Sequence, residues 1–198
     1  METGMTKVAI VYHSGYGHTA KLAEAVAEGV TRGGAEVALL KADDLTKPDE
    51  GPWDELNSAD AIIFGAPTYM GGASATFKAF QDATSKVWMS GGWTDKLAAG
   101  FTNSGSVSGD KLATLQQFAI LAAQHNMMWV NPAIPSGFNM KEHTWNDAEN
   151  RGGFFMGVGA HSPVDTSPEE APVAAELETG RKLGERVAKA ALRWVKGA

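Results

Sequence analysis

The sequence predicts an α/β protein built on one open, doubly wound parallel sheet with helices on both faces. Two observations indicate this class. Short apolar runs suited to buried strands alternate along the chain with segments whose apolar residues recur at helical spacing. Parallel strands need crossover connections, and helices between the strands supply them. The length of 198 residues suits one domain, so we expect residues 1–198 to form a single unit.

Five segments are predicted to be strands. Residues 7–12 form an almost unbroken apolar run rich in β-branched side chains, which is typical of a central strand buried on both faces. Residues 35–40 and 60–65 have the same apolar character. Residues 96–101, a weaker pattern, and residues 127–130 complete the predicted sheet.

Four helices are predicted from apolar residues at helical spacing. The second of them is expected to run from Ser74 to Trp88, and the fourth is long. The residues that mark the helical faces are Leu22, Val26 and Val30; Phe77, Phe80, Thr84 and Val87; Leu112, Leu115, Phe118 and Ala122; and Val173, Leu177, Gly184, Val187, Ala191 and Trp194.

One long segment does not fit this alternation. Residues 131–172 are dense in Gly, Pro, Asn and Ser. A loop of this length inside a compact domain is usually functional or carries an insertion. We therefore expect an extended loop region or an insertion here, placed after or within the fifth strand.

Composition excludes several classes of protein. The chain has no cysteine, which excludes disulfides, thiolate metal sites and cysteine nucleophiles. Seventeen Lys and Arg against 23 Asp and Glu give a formal net charge of -6, so no nucleic-acid partner is expected. The sequence shows no signal peptide and no stretch suited to crossing a bilayer, so we expect a cytoplasmic location. The histidines lack tight ligand spacing, so no metal is expected.

The loop after the first strand, residues 13–19, is predicted to bind an anion. It opens directly into a helix, and backbone amides at a helix N-terminus beside hydroxyl groups form a ready anion site. The loop also matches the dinucleotide pattern Gly-x-Gly-x-x-Ala, but Lys41 stands where that motif expects an acidic residue. The hydroxyls of Ser14 and Thr19 favour a terminal phosphate. A tight turn without any ligand is the simpler alternative.

Two further polar loops are expected at the same edge of the sheet, because the carboxyl ends of parallel strands meet there. Residues 65–72 offer backbone amides, the Thr68 hydroxyl and the flat side chain of Tyr69 to a planar ligand. Residues 101–109 contain four hydroxyl residues, Asn103 and two glycines. Three such loops at one edge predict a ligand site more strongly than any single loop.

A set of short motifs in chain order makes the sequence recognisable. They are Tyr12–Thr19, Gly65–Gly71, Val87–Gly92, Lys96–Gly105 and His125–Met127, with Phe77, Phe80 and residues 82–84 between them. In these motifs the chain resembles the flavodoxin-like family, and within it the WrbA-type NAD(P)H:quinone oxidoreductases. The resemblance implies a five-stranded parallel sheet of order 2-1-3-4-5. It also implies FMN as the cofactor and NADH or NADPH as the electron donor.

The resemblance implies three groups of FMN contacts. The phosphate is expected at Ser14, Tyr16, Gly17, His18 and Thr19; the isoalloxazine ring at Pro67, Thr68, Tyr69, Met70 and Gly71; and the flavin and ribityl side at Thr102, Asn103, Ser104, Gly105 and Ser106.

Two aromatic positions complete the candidate site. His125 matches a family histidine near the catalytic pocket, although a capping or packing role is an equal alternative. Trp88 matches a family tryptophan that reaches a flavin pocket from a neighbouring subunit. Trp88 and Trp93 flank a glycine pair, and we expect both at a pocket or subunit contact. A homo-oligomer, either a dimer or a homotetramer, follows from this expectation.

The predicted function is FMN-dependent transfer of two electrons, as hydride, from NAD(P)H to a small quinone by a ping-pong mechanism. Two alternatives remain open from the residues. The first is a flavodoxin-type electron carrier that turns over no substrate. The second is a dinucleotide-binding dehydrogenase without flavin.

Overall fold

The computed structural model describes residues 5–197. The strands in this part of the chain are β1 (Lys7–Tyr12), β2 (Glu36–Lys41), β3 (Ala61–Tyr69), β4 (Gly72–Ala73), β5 (Leu97–Ser104), β6 (Met128–Trp129) and β7 (Val158–His161). The helices are α1 (His18–Arg32), α2 (Trp53–Asn57), α3 (Ala75–Ala83), α4 (Ser85–Ser90), α5 (Lys111–Gln124) and α6 (Ala174–Lys196), with a 3-10 turn at Ala42–Leu45.

The predicted doubly wound parallel sheet is confirmed. The strand order is β2-β1-β3-β5-β6, and these neighbours pair in parallel. Numbered as the five predicted strands, this is the order 2-1-3-4-5. The short β4 pairs antiparallel with the end of β3, which runs on to Tyr69, beyond the predicted end of that strand.

The fifth sheet position is split into two pieces. β6 pairs with the start of β5 at Leu97 and Ala98, whereas β7 pairs with its end at residues 101–104. Residues 130–157 lie between the two pieces, so the expected insertion is within the fifth strand. Because β7 ends beside the end of β5, the loop that follows it emerges at the carboxyl edge of the sheet.

The sheet carries a core on each face. Along β1, Val8 and Ile10 pack under α1 and α6, while Ala9 and Val11 face the other layer. That second layer is built from α2, α3 and α5 and is rich in aromatic side chains: Trp53, Phe64, Phe77, Phe80, Trp93 and Phe118. The strands therefore read as continuous apolar runs because both faces are covered.

The prediction that Trp93 lies at a pocket or subunit contact is wrong. Its side chain is fully buried in the aromatic core, and its indole N–H donates to Asn57 Oδ1 at 2.8 Å. The reason is the turn that follows α4, where Gly91 adopts a left-handed conformation with φ of 66° and the chain folds back toward the sheet. The predicted helix from Ser74 to Trp88 is accordingly two helices, α3 and α4.

Candidate active site

The three predicted loops meet at the carboxyl edge of the sheet around a cavity of about 560 Å³. This volume lies in the range of small-molecule and cofactor sites. The predicted residues that line it are Tyr16, His18, Thr19, Pro67, Thr68, Tyr69, Asn103, Ser104 and Gly105. None of the side chains lining it is a carboxylate, an ammonium or a guanidinium group.

The first loop is held in shape by Ser14. Its Oγ accepts hydrogen bonds from the backbone amides of Gly17 and Ala20, both at 3.1 Å. Helix α1 then begins at His18, and the first bond of its ladder is donated by Lys21 to Gly17. Since Ser14 takes the amide of Ala20, the amides of His18 and Thr19 are the ones left without an intrahelical acceptor. The Ser14 hydroxyl therefore organises the loop from beneath, whereas Thr19 lines the cavity itself.

Two glycines in this loop are required by close approaches. A Cβ built on Gly17, whose φ is 90°, would lie 2.6 Å from Pro168 Cγ. A Cβ built on Gly15 would lie 2.6 Å from the hydroxyl of Tyr69. The loop therefore leaves room for two side chains that pack on it, the ring of Pro168 and the phenol of Tyr69.

His18 ties this loop to the segment that precedes α6. Its Nδ1 lies 2.8 Å from the carbonyl oxygen of Ala171. A carbonyl oxygen only accepts, so Nδ1 must carry the proton and donate it. The imidazole thus serves first as a structural donor and lines the cavity with the rest of its ring.

The second loop presents an aromatic wall above a network of threonine hydroxyls. Tyr69 is partly exposed and packs edge-on against Tyr16, with ring centroids 6.3 Å apart. Burial, and then the neighbouring Tyr16, raise the pKa of Tyr69 above its ordinary value of 10.0. Thr68 Oγ1 lies 2.8 Å from the hydroxyls of both Thr102 and Thr114.

Several predicted contacts fall outside the cavity lining. Thr102 is fully buried and supports Thr68 from below. Met70 and Gly71 have positive φ values of 49° and 85° and form the exposed turn between β3 and β4. Ser106 is exposed, and its carbonyl oxygen accepts a bond from Lys111 Nζ at 2.6 Å. These residues shape the loops; the cavity surface is formed by their neighbours.

One wall of the cavity was not predicted from sequence. It is formed by the loop after β7, through Ser162, Pro163, Val164, Thr166 and Pro168. The Ser162 hydroxyl lies 3.0 Å from Asn103 Oδ1, to which it donates, and so links this loop to the end of β5. The sequence does contain a signal for this wall, the short apolar alternation at residues 158–161. If that segment is recognised as a strand, the loop after it must lie at this edge of the sheet.

The structure does not bring His125 to this cavity. It follows α5 and precedes β6, at the amino edge of the sheet, and its side chain is buried. The Thr84 hydroxyl donates to the Gln81 carbonyl, so the His125 Nε2, 2.9 Å from Thr84 Oγ1, must donate to that oxygen. Nδ1 is left as a buried acceptor without a partner. Within this chain His125 therefore has the packing role that was the alternative to a catalytic one.

Burial also sets the protonation of His125. The ring packs against Trp93 with centroids 4.4 Å apart. This desolvated position lowers the pKa of His125 from its ordinary 6.5 to about 4. The imidazole is therefore neutral at physiological pH, with its proton on Nε2.

Trp88 lies on α4, also at the amino edge, and does not line the cavity of its own chain. Its side chain is 56% exposed, and Met89 beside it is 80% exposed. A contact with another subunit's pocket stays a prediction.

A second cavity, of about 540 Å³, lies between the insertion and α6. It is lined by Glu142, His143, Asp147, Glu149 and Lys182 among others.

Across residues 5–197, no group of three or more His, Asp or Glu side chains is arranged to hold a metal ion. None of the helices described is long and apolar enough to span a membrane.

Known proteins match this chain along most of its length. The family model described as NADPH-dependent FMN reductase matches residues 6–139. Flavodoxin FldP of Pseudomonas aeruginosa is 40% identical over 185 residues, which cover 93% of this chain and 96% of that protein. An NAD(P)H dehydrogenase (quinone) of Rhizobium rhizogenes is 33% identical over 205 residues, which cover 96% of this chain and 100% of that protein.

Solved structures give the same assignment. The flavodoxin, WrbA-like protein from Agrobacterium tumefaciens is 42% identical, with a TM-score of 0.71, over 95% of this chain and 98% of that one. An archaeal flavodoxin at 20% identity and a TM-score of 0.65 shows the shared fold. The chain therefore belongs to the NADPH-dependent FMN reductase family and is a flavodoxin-like protein of the WrbA type.

Proposed function

We propose that this protein is an FMN-dependent NAD(P)H:quinone oxidoreductase that moves two electrons from a nicotinamide to a small quinone. The observation that carries the proposal is the cavity at the carboxyl edge, where the loops expected to hold the phosphate, the ring and the ribityl chain form three of the walls. Relatives named as quinone dehydrogenases, at 33% and 31% identity, support the choice of acceptor.

The residues present fit FMN. The amides of His18 and Thr19 at the start of α1 and the Thr19 hydroxyl suit a phosphate dianion. Pro168 packs so closely on Gly17 that the loop has no room for a side chain there, which keeps this part of the loop compact. Pro67 and the Tyr69 ring offer the flat apolar surface that an isoalloxazine needs.

When bound, FMN supplies an atom that accepts hydride from the nicotinamide and passes it on. The chain's own task is then to bind, orient and exclude water. No side chain lining the cavity is a carboxylate or an amine that could act as a general base. His18 donates its Nδ1 proton to the Ala171 carbonyl. A lining of hydroxyl, amide and aromatic groups suits chemistry carried by a cofactor.

A single open cavity favours alternate use by the two substrates. Because the cofactor would occupy this one cavity, we expect NAD(P)H and the quinone to use the same opening, so that one leaves before the other binds. Steady-state kinetics with NAD(P)H and benzoquinone are expected to give parallel double-reciprocal lines. Intersecting lines would require both substrates to be bound together and would contradict the ping-pong mechanism.

A flavodoxin-type electron carrier is the second candidate, and the 40% identity to flavodoxin FldP over nearly the whole chain favours it. The two functions differ in the source of electrons, because a carrier accepts them from a reductase protein. Mixing the FMN-loaded protein with NAD(P)H alone distinguishes the two. Rapid reduction supports the enzyme; reduction only after a ferredoxin or flavodoxin reductase is added supports the carrier.

A further inference from the structure

Lys111 lies directly behind the third loop of the cavity. It begins α5, and its side chain is fully buried. Its Nζ donates to the carbonyl oxygens of Ser106 at 2.6 Å and Val107 at 3.1 Å. Both carbonyls belong to the loop after β5, whose preceding residues 103–105 line the cavity. One stretch of backbone therefore separates this ammonium group from the site.

The lysine is enclosed by the split fifth strand and the insertion. A Cβ built on Gly159 in β7 would lie 2.5 Å from the Phe154 ring and 3.0 Å from Lys111 Cδ, so both side chains pack closely on this glycine. The Phe154 ring lies 5.9 Å from Nζ and covers the charge from the insertion side. The position is built around a lysine and excludes water from it.

The buried charge has no carboxylate of its own. Among residues 5–197, no Asp or Glu oxygen forms an ion pair with Lys111 within 4.0 Å. The nearby Glu176 is already held by Arg151, whose Nε donates to Oε1 at 2.9 Å, and it also accepts the amides of His161 and Val173. Two buried cations thus face one buried carboxylate, and a net positive charge remains behind the loop.

The titratable groups around Lys111 leave this net positive charge unchanged near neutral pH. Burial, which outweighs the opposing effect of Glu176 and is reinforced by Arg151, lowers the pKa of Lys111 from its ordinary 10.5 to about 8. Burial, Lys111 and Arg151 together lower the pKa of His161 below its ordinary 6.5, so that imidazole adds no charge. Lys111 therefore stays mostly protonated at pH 7.

We infer that Lys111 is a positioning residue for the FMN site: it holds the third loop in place and supplies a buried positive charge that favours the reduced, more negative state of the cofactor. The inference rests on the proposed function. A charge separated from the cofactor by one layer of backbone acts through a medium of low dielectric, where it is screened weakly. A fixed charge near the flavin is one of the means by which a protein tunes its electronics.

The test compares Lys111→Met with Lys96→Met. Lys96 is a matched control because its Nζ also donates to two backbone carbonyls, those of Asn57 and Ala59. It differs in lying at the amino edge of the sheet, away from the cavity, and in being less completely buried. For each FMN-loaded protein, the reduction potential and the dissociation constants of oxidised and reduced FMN are measured. Lys111→Met is expected to weaken reduced FMN at least tenfold relative to oxidised FMN, which lowers a two-electron potential by about 30 mV.

Lys111→Gln removes the charge but keeps a hydrogen-bond donor for the loop. It is the variant to measure if Lys111→Met fails to bind the cofactor. The same tenfold change is expected for it. The inference is overturned if the ratio of the dissociation constants of reduced and oxidised FMN is unchanged in the Lys111 variants. It is also overturned if that ratio changes equally in Lys96→Met. Wild-type protein that binds no FMN contradicts the proposed function instead, so the two failures are distinguishable.

Discussion

At the scale of single residues, the loop of residues 13–19, which we propose binds the FMN phosphate, depends on two hydroxyls with different tasks. Ser14 accepts two backbone amides and fixes the loop, whereas Thr19 faces the cavity. Replacing both with Val is expected to weaken FMN by more than tenfold, because a bond from the Thr19 hydroxyl to a charged group is worth about 1.5–3 kcal/mol and the loop also loses the acceptor that shapes it. Thr31→Val is the control, since that hydroxyl lies on the same helix and bonds only the Ala27 carbonyl. Fluorescence titration of FMN measures the effect; equal affinity in both variants would sink the assignment.

His125 predicts a dependence of stability on pH. The unfolded chain binds a proton near pH 6.5, whereas the folded chain binds it near pH 4, so the unfolded state holds more protons between these values. The free energy of unfolding should therefore fall as pH drops through this window, by at most about 1.4 kcal/mol per pH unit from this group. His125→Gln keeps a donor for Thr84 and removes the titration. Urea unfolding at several pH values should show a shallower acid slope in that variant; identical slopes would refute the assignment.

At the scale of elements, α1 and α6 pack backbone to backbone. A Cβ built on Gly184 would lie 2.0 Å from the Val26 carbonyl oxygen, and one on Gly29 would lie 1.9 Å from that of Arg181. Gly184→Ala must push the helices apart, and overpacking of this kind costs about 1–3 kcal/mol or more. Gly197→Ala, at the end of the same helix with no atom closer than 3.6 Å, is the control. Thermal unfolding that ranks the two variants equally would contradict this packing.

The elements also show what the sequence can and cannot predict. The central strands were predictable because burial on both faces leaves an unbroken apolar run, as in β1 and β3. The split fifth strand was not predictable, because β6 has only two residues and β7 only four. That they share one position in the sheet depends on tertiary packing, which local sequence does not reveal. For the same reason the wall formed by residues 162–168 was missed. Local pattern likewise cannot show that the turn at Gly91 carries Trp93 into the core.

At the scale of the whole molecule, we predict a homo-oligomer with Trp88 at the subunit contact. Trp88 and Met89 expose a large apolar surface on α4, and tryptophan is enriched in interfaces. Light scattering of the wild type should give a multiple of 20.9 kDa. Trp88→Ala should lower both this mass and quinone turnover, whereas Trp194→Ala, another partly exposed tryptophan, should change neither. A wild-type mass of one chain together with full activity would refute the contact.

The proposed function requires one cavity to pass electrons from a nicotinamide to a quinone through bound FMN. Anaerobic titration of the FMN-loaded protein tests it most directly, with the flavin absorbance followed throughout. One equivalent of NADH or NADPH is expected to bleach the flavin, and one equivalent of benzoquinone is then expected to restore it. Failure of both nicotinamides to bleach the flavin, or failure of the quinone to restore its absorbance, would contradict the account.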